Sequence, residues 1–589
     1  MKYLGSFLLT LLVLAGCLVI GGLLRKDPVV LPAGKDVRSI AGLLPSDTYL
    51  LVHTPDVVGA ASAWGESDLG LFVAGEEIDR FLSRPLRRLS EKVRAGADWA
   101  LVKKLKPEDF FVALQPSPEG ERHFLAGFRS GEASASIDQH LAPYREEIQN
   151  RYGDITTANA AYEGALVRTH QKEDAEVVEA FVDGWYFVSN KRVLLTRVVE
   201  QLVSGTRPAT SLENESDFVA VVDDLPGGYH ALGFLRPERG LEAVAGEEDS
   251  GRKGEGATGA PSHPFADLRA LGYVTTTAKG DFRDTATGLV TAGPAWEVPF
   301  ERRTMRFTTP ATYFYQASSL PWLGTGDDQA ANRWWASIGE QLESENWPSL
   351  ASLLGPEWAA MAGPLEGPSG RGSYFGIVLE LEDPEIVESL LQRLSSRLEA
   401  WRAAGTGEYV VDTDRAGLAI SRYSGILYLR MDEDFLIIAT QPFSEWKRDG
   451  NQTLEDLPRF HDWDRGLPLG DRGIGYVDGR RVFDRIRETL GHPLIMASIW
   501  MSLKSQASFE LDFDELPSPE NWGDFRPTVW TINRSPGGIR LGASGTVSPV
   551  HWGAGLGASW ATLSRTLFHP DLGETGSGWE ELSPLSVGD

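Results

Sequence analysis

The chain has 589 residues, 83 of them acidic and 56 basic, and its formal charge of −27 argues against nucleic acid as a partner because such a surface repels phosphate backbones. Hydrophobic residues make up 42% and aromatic residues 10%, enough for packed cores, and the length exceeds what one core serves, so two or more domains are expected. Cys17 is the single cysteine, which excludes disulfide staples, thiol chemistry and cysteine zinc sites in everything that follows it.

Tyr3 to Leu24 is apolar apart from Ser6 and Thr10, with Lys2 before it and Arg25-Lys26 after it. As a helix this segment reaches about 33 Å, enough to cross a hydrocarbon core of about 30 Å. An uncleaved anchor, a lipidated Cys17 and a cleaved signal all fit, since Leu14-Ala15-Gly16-Cys17 has the letters of a bacterial lipobox. The apolar run continues after Cys17 where a lipoprotein turns polar, which favours the anchor. Charges flank both ends and do not fix the orientation. The segment sits at the N-terminus like an export signal, so the rest is placed outside the cytoplasm. Residues 1–26 are read as anchor or signal and 27–39 as a Pro/Gly-containing linker.

The first module is assigned to 40–293. Pro45-Ser46-Asp47 reads as a turn and Thr48–Val52 as a strand. Ile78, Phe81, Leu82, Leu86 and Leu89 recur at helical spacing. Strands are predicted at Phe110–Leu114 and His123–Phe128, a helix at Ser134–Ile148, and three further strands around Ala165–Thr169, Val177–Val182 and Trp185–Ser189. The Asp183-Gly184 connection marks a hairpin, hence antiparallel neighbours. A Gly/Ala/Glu/Ser-rich loop covers 240–262.

A second module, 305–548, repeats the order of motifs. Lys106-Pro107-Glu108 returns as Gly355-Pro356-Glu357, Ser211-Leu212-Glu213 with Phe218 as Thr453-Leu454-Glu455 with Phe460, and Gly233-Phe234-Leu235 as Gly475-Tyr476-Val477. Gly280 to Gly288 matches Gly537 to Gly545. Strands are predicted at Tyr374–Leu381, Leu418–Arg422, Ile426–Met431 and Phe435–Thr440, a helix over Ile386–Leu398 with Pro384 in its first turn, and another near Arg480–Leu490. The fold class is α+β: two tandem copies of one module, each a meandering antiparallel sheet with helices packed on one face, preceded by one transmembrane or signal helix. Residues 549–589 are a C-terminal tail.

Motifs for chemistry are sparse. Gly553-Ala-Gly-Leu-Gly557 lacks the frame of a dinucleotide loop, and Ser544 lacks that of a nucleophile elbow. Three acidic groups stand out: Asp412 with Asp414; His461 with Asp462 and Asp464; and Asp512 with Asp514 and Glu515. None has the Gly and distal Glu of a calcium loop. Of eighteen tryptophans, fourteen follow Met305, and Trp334, Trp335, Trp358, Trp463 and Trp552 are candidates for exposed platforms or for core filling. Matched positions do not share chemistry: Asp109 meets Trp358, Arg168 meets Ser421 and Arg236 meets Asp478. No catalytic, cofactor-binding or metal-ligating residue is therefore assigned, no cofactor is expected, and Cys17 is the single candidate modification site, for lipid.

The export segment, Leu44-Pro45-Ser46-Asp47-Thr48 with its β-run, and the hairpin from Asp183 to Ser189 resemble a group of bacterial envelope proteins carrying a domain of unknown function. That resemblance implies an extracytoplasmic location and brings no site residues. The expectation is a membrane-tethered binding or scaffolding protein, not an enzyme, held by its N-terminal segment with an envelope protein or glycan as partner. The alternatives are an envelope polysaccharide hydrolase and a carrier of a hydrophobic ligand.

Overall fold

The computed structural model describes residues 37–76, 102, 104–116, 123–153, 155–172, 175–239, 268–278, 280–290, 300–319, 350–365, 373–403, 410–414, 417–422, 425–442, 452–457, 460, 467, 470–490, 525–535 and 537–548. In chain order, α1 (Arg38–Ala41) leads to β1 (Leu50–Asp56), α2 (Val57–Gly65) and α3 (Asp68–Val73). Next come β2 (Glu108–Gln115), β3 (His123–Arg129), α4 (Ser134–Tyr152), β4 (Thr156–Tyr162), β5 (Ala165–Lys172), β6 (Ala175–Val182) and β7 (Trp185–Ser189). Helices α5 (Arg192–Ser204) and α6 (Ser216–Asp224) precede β8 (Ala231–Leu235), β9 (Leu268–Ala278) and β10 (Asp281–Val290).

A 3-10 turn at Arg303–Phe307 opens the second half, with β11 (Phe314–Ser318), α7 (Leu350–Leu353), β12 (Leu354–Pro364), β13 (Ser373–Leu381) and α8 (Pro384–Ala403). The chain continues through β14 (Val410–Asp414), β15 (Gly417–Arg422), β16 (Gly425–Asp432), β17 (Phe435–Ala439), β18 (Gly473–Val477), α9 (Gly479–Leu490), β19 (Thr528–Ser535) and β20 (Gly538–Gly545). The expected anchor, the helix from Ile78 and the loop and tail at 240–262 and 549–589 lie wholly or mostly outside the described residues. Among those described, no helix is long and apolar enough to cross a membrane.

Among the described residues every strand pair is antiparallel, and the pairings run β4-β5-β6-β7-β3-β2-β1-β8-β9-β10 through the first half. The sheet continues from β10 into β20 and then through β19-β18-β11-β12-β13-β17-β16-β15-β14. The fold is thus mostly antiparallel sheet with helices, as the sequence predicts for an α+β protein. Tight turns make this meander possible: Val182 pairs with Trp185 across Asp183 and Gly184, both at positive φ, the backbone that a two-residue primed turn requires.

Helices cover both faces of the first half's sheet instead of the single face predicted. Alternation in the strands is the physical reason. Val178, Ala180, Trp185 and Phe187 point to one side and join Leu195, Val198 and Val199 of α5 with Phe218 and Val221 of α6. Phe128, Phe181 and Tyr186 point to the other and pack against Ile137 and Leu141 of α4. The predicted first strand also begins two residues late. Thr48 instead holds the preceding turn, its hydroxyl donating to the Pro45 carbonyl at 2.8 Å. In the second half, Phe307, Tyr315, Tyr374, Phe435, Phe460 and Tyr476 form one buried core.

The two halves meet at a polar seam beside the β10–β20 ladder. Arg526 lies 3.0 Å from Asp68 and 2.8 Å from Asp281, Tyr273 Oη sits 3.0 Å from Ser548 Oγ, and the rings of Phe72 and Phe525 meet edge-on at 5.1 Å.

Candidate functional site

Of the residues singled out in the sequence, Cys17, His461, Asp462, Asp464, Asp512, Asp514, Glu515, Trp334, Trp335, Trp463, Trp552 and the glycines at 553–557 lie outside the described residues. Asp412 and Asp414 sit on β14, opposite Ala419 and Gly417. Trp358 lies within β12, half-buried opposite Leu379 and Ser318, and not at a strand start. Ser544 is a ladder residue of β20 opposite Arg283 and Val529. Among the described residues no three His, Cys, Asp or Glu side chains gather as a metal site.

The densest polar cluster instead uses residues that carry no motif. The β4–β5 hairpin closes on Tyr162 and Ala165 around Glu163 and Gly164, at φ 49° and 81°. That register sets Thr157 opposite His170 and Asn159 opposite Arg168, while β6 brings Glu179 opposite Arg168. Helix α4 crosses this face and supplies Asp138 and Arg145.

Glu179 is buried and accepts from Arg145 Nε at 3.1 and 3.0 Å, from Arg145 Nη2 at 2.7 Å, and bonds His170 Nε2 at 2.8 Å. His170 Nδ1 lies 3.1 Å from Thr157 Oγ1. Asp138 accepts from Arg145 and Arg168 at 2.8 Å each. Burial alone would raise the Glu179 carboxyl, but the hydrogen bonds from His170 and Arg145 outweigh it and hold the group below its ordinary range. The Arg168 hydrogen bond does most to lower Asp138. Burial holds the Tyr186 phenol well above its usual value.

A second cluster is interior. Asp109, buried and at φ 50°, stands in the irregularity of the β2–β3 ladder, with its Oδ1 3.7 Å from His53 Nε2. His53 is fully buried, and its Nδ1 bonds Tyr229 Oη at 2.8 Å. In the other half Glu357 is buried and accepts from the Thr304 amide and hydroxyl at 2.7 Å each. Arg303 bridges Glu380 and Asp434.

One local signal of the first cluster is visible in the sequence, the alternation of Arg168 and His170 with the apolar Val167 in β5. Their partners lie on another strand and on α4, and only the register brings them together. The line Thr157, His170, Glu179 has the hydroxyl, imidazole and carboxylate of a nucleophile relay. Its carboxylate is, however, already paired by Arg145, and Thr157 is exposed on a strand.

No family model matches the chain, and no curated protein matches it. One solved structure, crystal form I of TP0453, is similar over 43% of this chain and 79% of its own, at 12% identity and a TM-score of 0.22. At that score the likeness fixes no fold.

Proposed function

We propose that the protein is a membrane-tethered, extracytoplasmic scaffold of the bacterial envelope, built from two copies of one module and binding an envelope protein or glycan without chemical turnover. One observation carries this reading: the pairing order β4-β5-β6-β7-β3-β2-β1-β8-β9-β10 recurs as β14-β15-β16-β17-β13-β12-β11-β18-β19-β20, and the matched last strands β10 and β20 pair with each other. Matching Gly280 to Gly537 and Gly288 to Gly545 puts Thr285 on Gly542, which is its own partner in the ladder. Arg283 pairs with Ser544, the match of Thr287, and Thr287 pairs with Arg540, the match of Arg283. The centre of that match, Thr285 with Gly542, lies in the middle of the ladder, as an isologous contact between like units requires.

Strand neighbours support the same duplication. Gly233 lies between Val52 and Tyr273, and Gly475 between Gln316 and Trp530. Phe218 and Phe460 are both fully buried. Under this alignment His53 falls on Ala317 and Glu179 on Leu429, so the β4–β6 cluster and the buried imidazole belong to the first copy alone, while buried Asp109 falls on buried Glu357. Glu179, Asp138 and Glu357 are held by their own chain's donors, which suits stabilisation better than turnover. The N-terminal segment supplies the tether, with Cys17 as a lipidation site if the segment is processed as a lipoprotein.

Fractionation tests this reading. The full chain should stay with membranes in high salt and be cut by protease added outside the inner membrane, whereas residues 27–589 should be soluble. Recovery of the full chain as a protease-shielded cytoplasmic protein would overturn it. A second reading, hydrolysis of an envelope ester or glycan, is favoured only by the Thr157–His170–Glu179 line; turnover abolished by both Thr157→Ala and His170→Ala would establish it.

A further inference from the structure

Among the described residues the long sheet ends in two strands that are paired on one side only, β4 at one end and β14 at the other. Unpaired edges recruit other strands unless charge, proline or a bulge blunts them. The two ends differ in this respect. Strand β14 carries Asp412 and Asp414. Strand β4, Thr-Thr-Ala-Asn-Ala-Ala-Tyr, has no charge, no proline and no break in its register with β5, and Thr156 to Ala161 are all exposed.

Its geometry follows from the turn. Because a two-residue turn joins Tyr162 to Ala165, that pair is hydrogen-bonded, and bonded and non-bonded pairs alternate from there. Residues 156, 158, 160 and 162 therefore spend their main-chain groups on β5. Thr157, Asn159 and Ala161 turn theirs outward.

We propose that β4 is a self-association edge, and that a second copy of this chain pairs with it antiparallel about Asn159. In that register Asn159 faces Asn159 of the second copy and Thr157 faces Ala161, so all the outward N–H and C=O groups are matched in about six main-chain bonds. The opposite side of the strand presents Ala158 against Ala160, small enough for the copies to approach closely.

Charge selects this occupant. A chain of formal charge −27 pairs with itself only where like charges do not meet, and β4 is the uncharged one of the two ends. On the face shared with Arg168 and His170, Arg168 Nε donates to Asn159 Oδ1 at 3.0 Å. This engages the amide oxygen within the chain and leaves the NH2 group as the donor available to a partner. The contact would also extend the sheet by the same reciprocal antiparallel mode as the β10–β20 seam.

The test uses the full chain carrying Cys17→Ser. With Asn159→Cys, the two thiols of a dimer stand on Cα atoms about 5.5 Å apart, inside the disulfide range of about 4.4–6.8 Å. Mild oxidation should yield a covalent homodimer, while Thr413→Cys on β14 should yield none. In detergent solution, Asn159→Lys and Asn159→Asp should each weaken the dimer by about tenfold or more, because like charges then face one another. Mixing the Lys and Asp chains should restore it. The Asp variant keeps an oxygen for Arg168 and so stands in should the Lys variant misfold. A monomer at all concentrations, a dimer indifferent to both charges, a mixture that fails to re-form, or an Asn159→Cys chain that crosslinks only to a different protein would each overturn the proposal.

Discussion

Removing the Glu179 carboxylate should uncover how much the β4–β6 face depends on its ion network. Glu179 is 6% exposed and Arg145's side chain 17%, so Glu179→Ala leaves one guanidinium stripped of its bidentate partner, and His170 without its acceptor, in a largely dry site. Breaking one member of a buried pair costs about 3–5 kcal/mol; the residual exposure of Arg145 points to the lower end, about 3 kcal/mol. Arg145→Ala should cost a similar amount, since it leaves the carboxylate behind. The double variant should cost less than the sum by about 1–3 kcal/mol, because the second change removes a charge already orphaned. Urea unfolding of the 27–589 fragment, followed through tryptophan fluorescence, reads all three. Single losses below about 1 kcal/mol, or strict additivity, would refute the coupling. The pH dependence has a definite sign. Glu179 and Asp138 are lowered in the folded state from ordinary values of 4.5 and 3.8, so their contribution is present above those values and is lost as pH falls through the lower folded ones. Glu179→Gln should therefore flatten the acid limb of the stability curve.

Two further perturbations test packing and the seam. A Cβ at Gly475 would fall within the Trp530 indole, whose Nε1 is held by Gln316 Oε1 at 2.6 Å, whereas one at Gly233 meets nothing within 4 Å; Gly475→Ala should lower Tm by several degrees and Gly233→Ala should leave it nearly unchanged, in calorimetry of the same fragment. Burial raises Asp284 above 3.8 despite the Tyr273 hydroxyl at 2.7 Å, so its contribution to stability is present below 3.8 and is lost as pH rises through the folded value. Asp284→Asn should accordingly stabilise at pH 7 and lose that advantage near pH 3; an advantage independent of pH would contradict the buried-charge explanation.

Much of the fold was legible locally. Period-two runs such as Trp185–Ser189 and Phe435–Ala439 announce half-buried strands, and Pro384 in a first turn announces α8. Strand β4 carries no such mark because Ala and Thr make up five of its seven residues and none is fully buried, so no apolar alternation shows. The placement of α4 opposite α5 was also hidden: both flank the same strands, and only the tertiary structure shows that Phe128, Phe181 and Tyr186 form a second apolar surface. The seam was out of reach for a similar reason. Arg283 and Ser544 are far apart in sequence, and Gly280 and Gly537 read as turns inside separate modules. The charged cluster at Glu179 needs a register between β5 and β6 that composition does not encode, so the acidic groups visible by eye, such as Asp412 with Asp414, drew attention that the β4–β6 face merits more.

The central claim is that the two halves join through the antiparallel β10–β20 ladder, and paired cysteines test it most directly. In a Cys17→Ser chain, Arg283→Cys with Ser544→Cys should form an intramolecular disulfide under mild oxidation. Thr287→Cys with Arg540→Cys, four residues further along the same ladder, should form one as readily, because both pairs face one another across β10 and β20. Arg283→Cys with Arg540→Cys, matched positions that do not face each other, should not close. Both reciprocal links forming and the third failing is the result predicted; a link in only one reciprocal pair, or a disulfide in the Arg283→Cys, Arg540→Cys chain, would contradict the account.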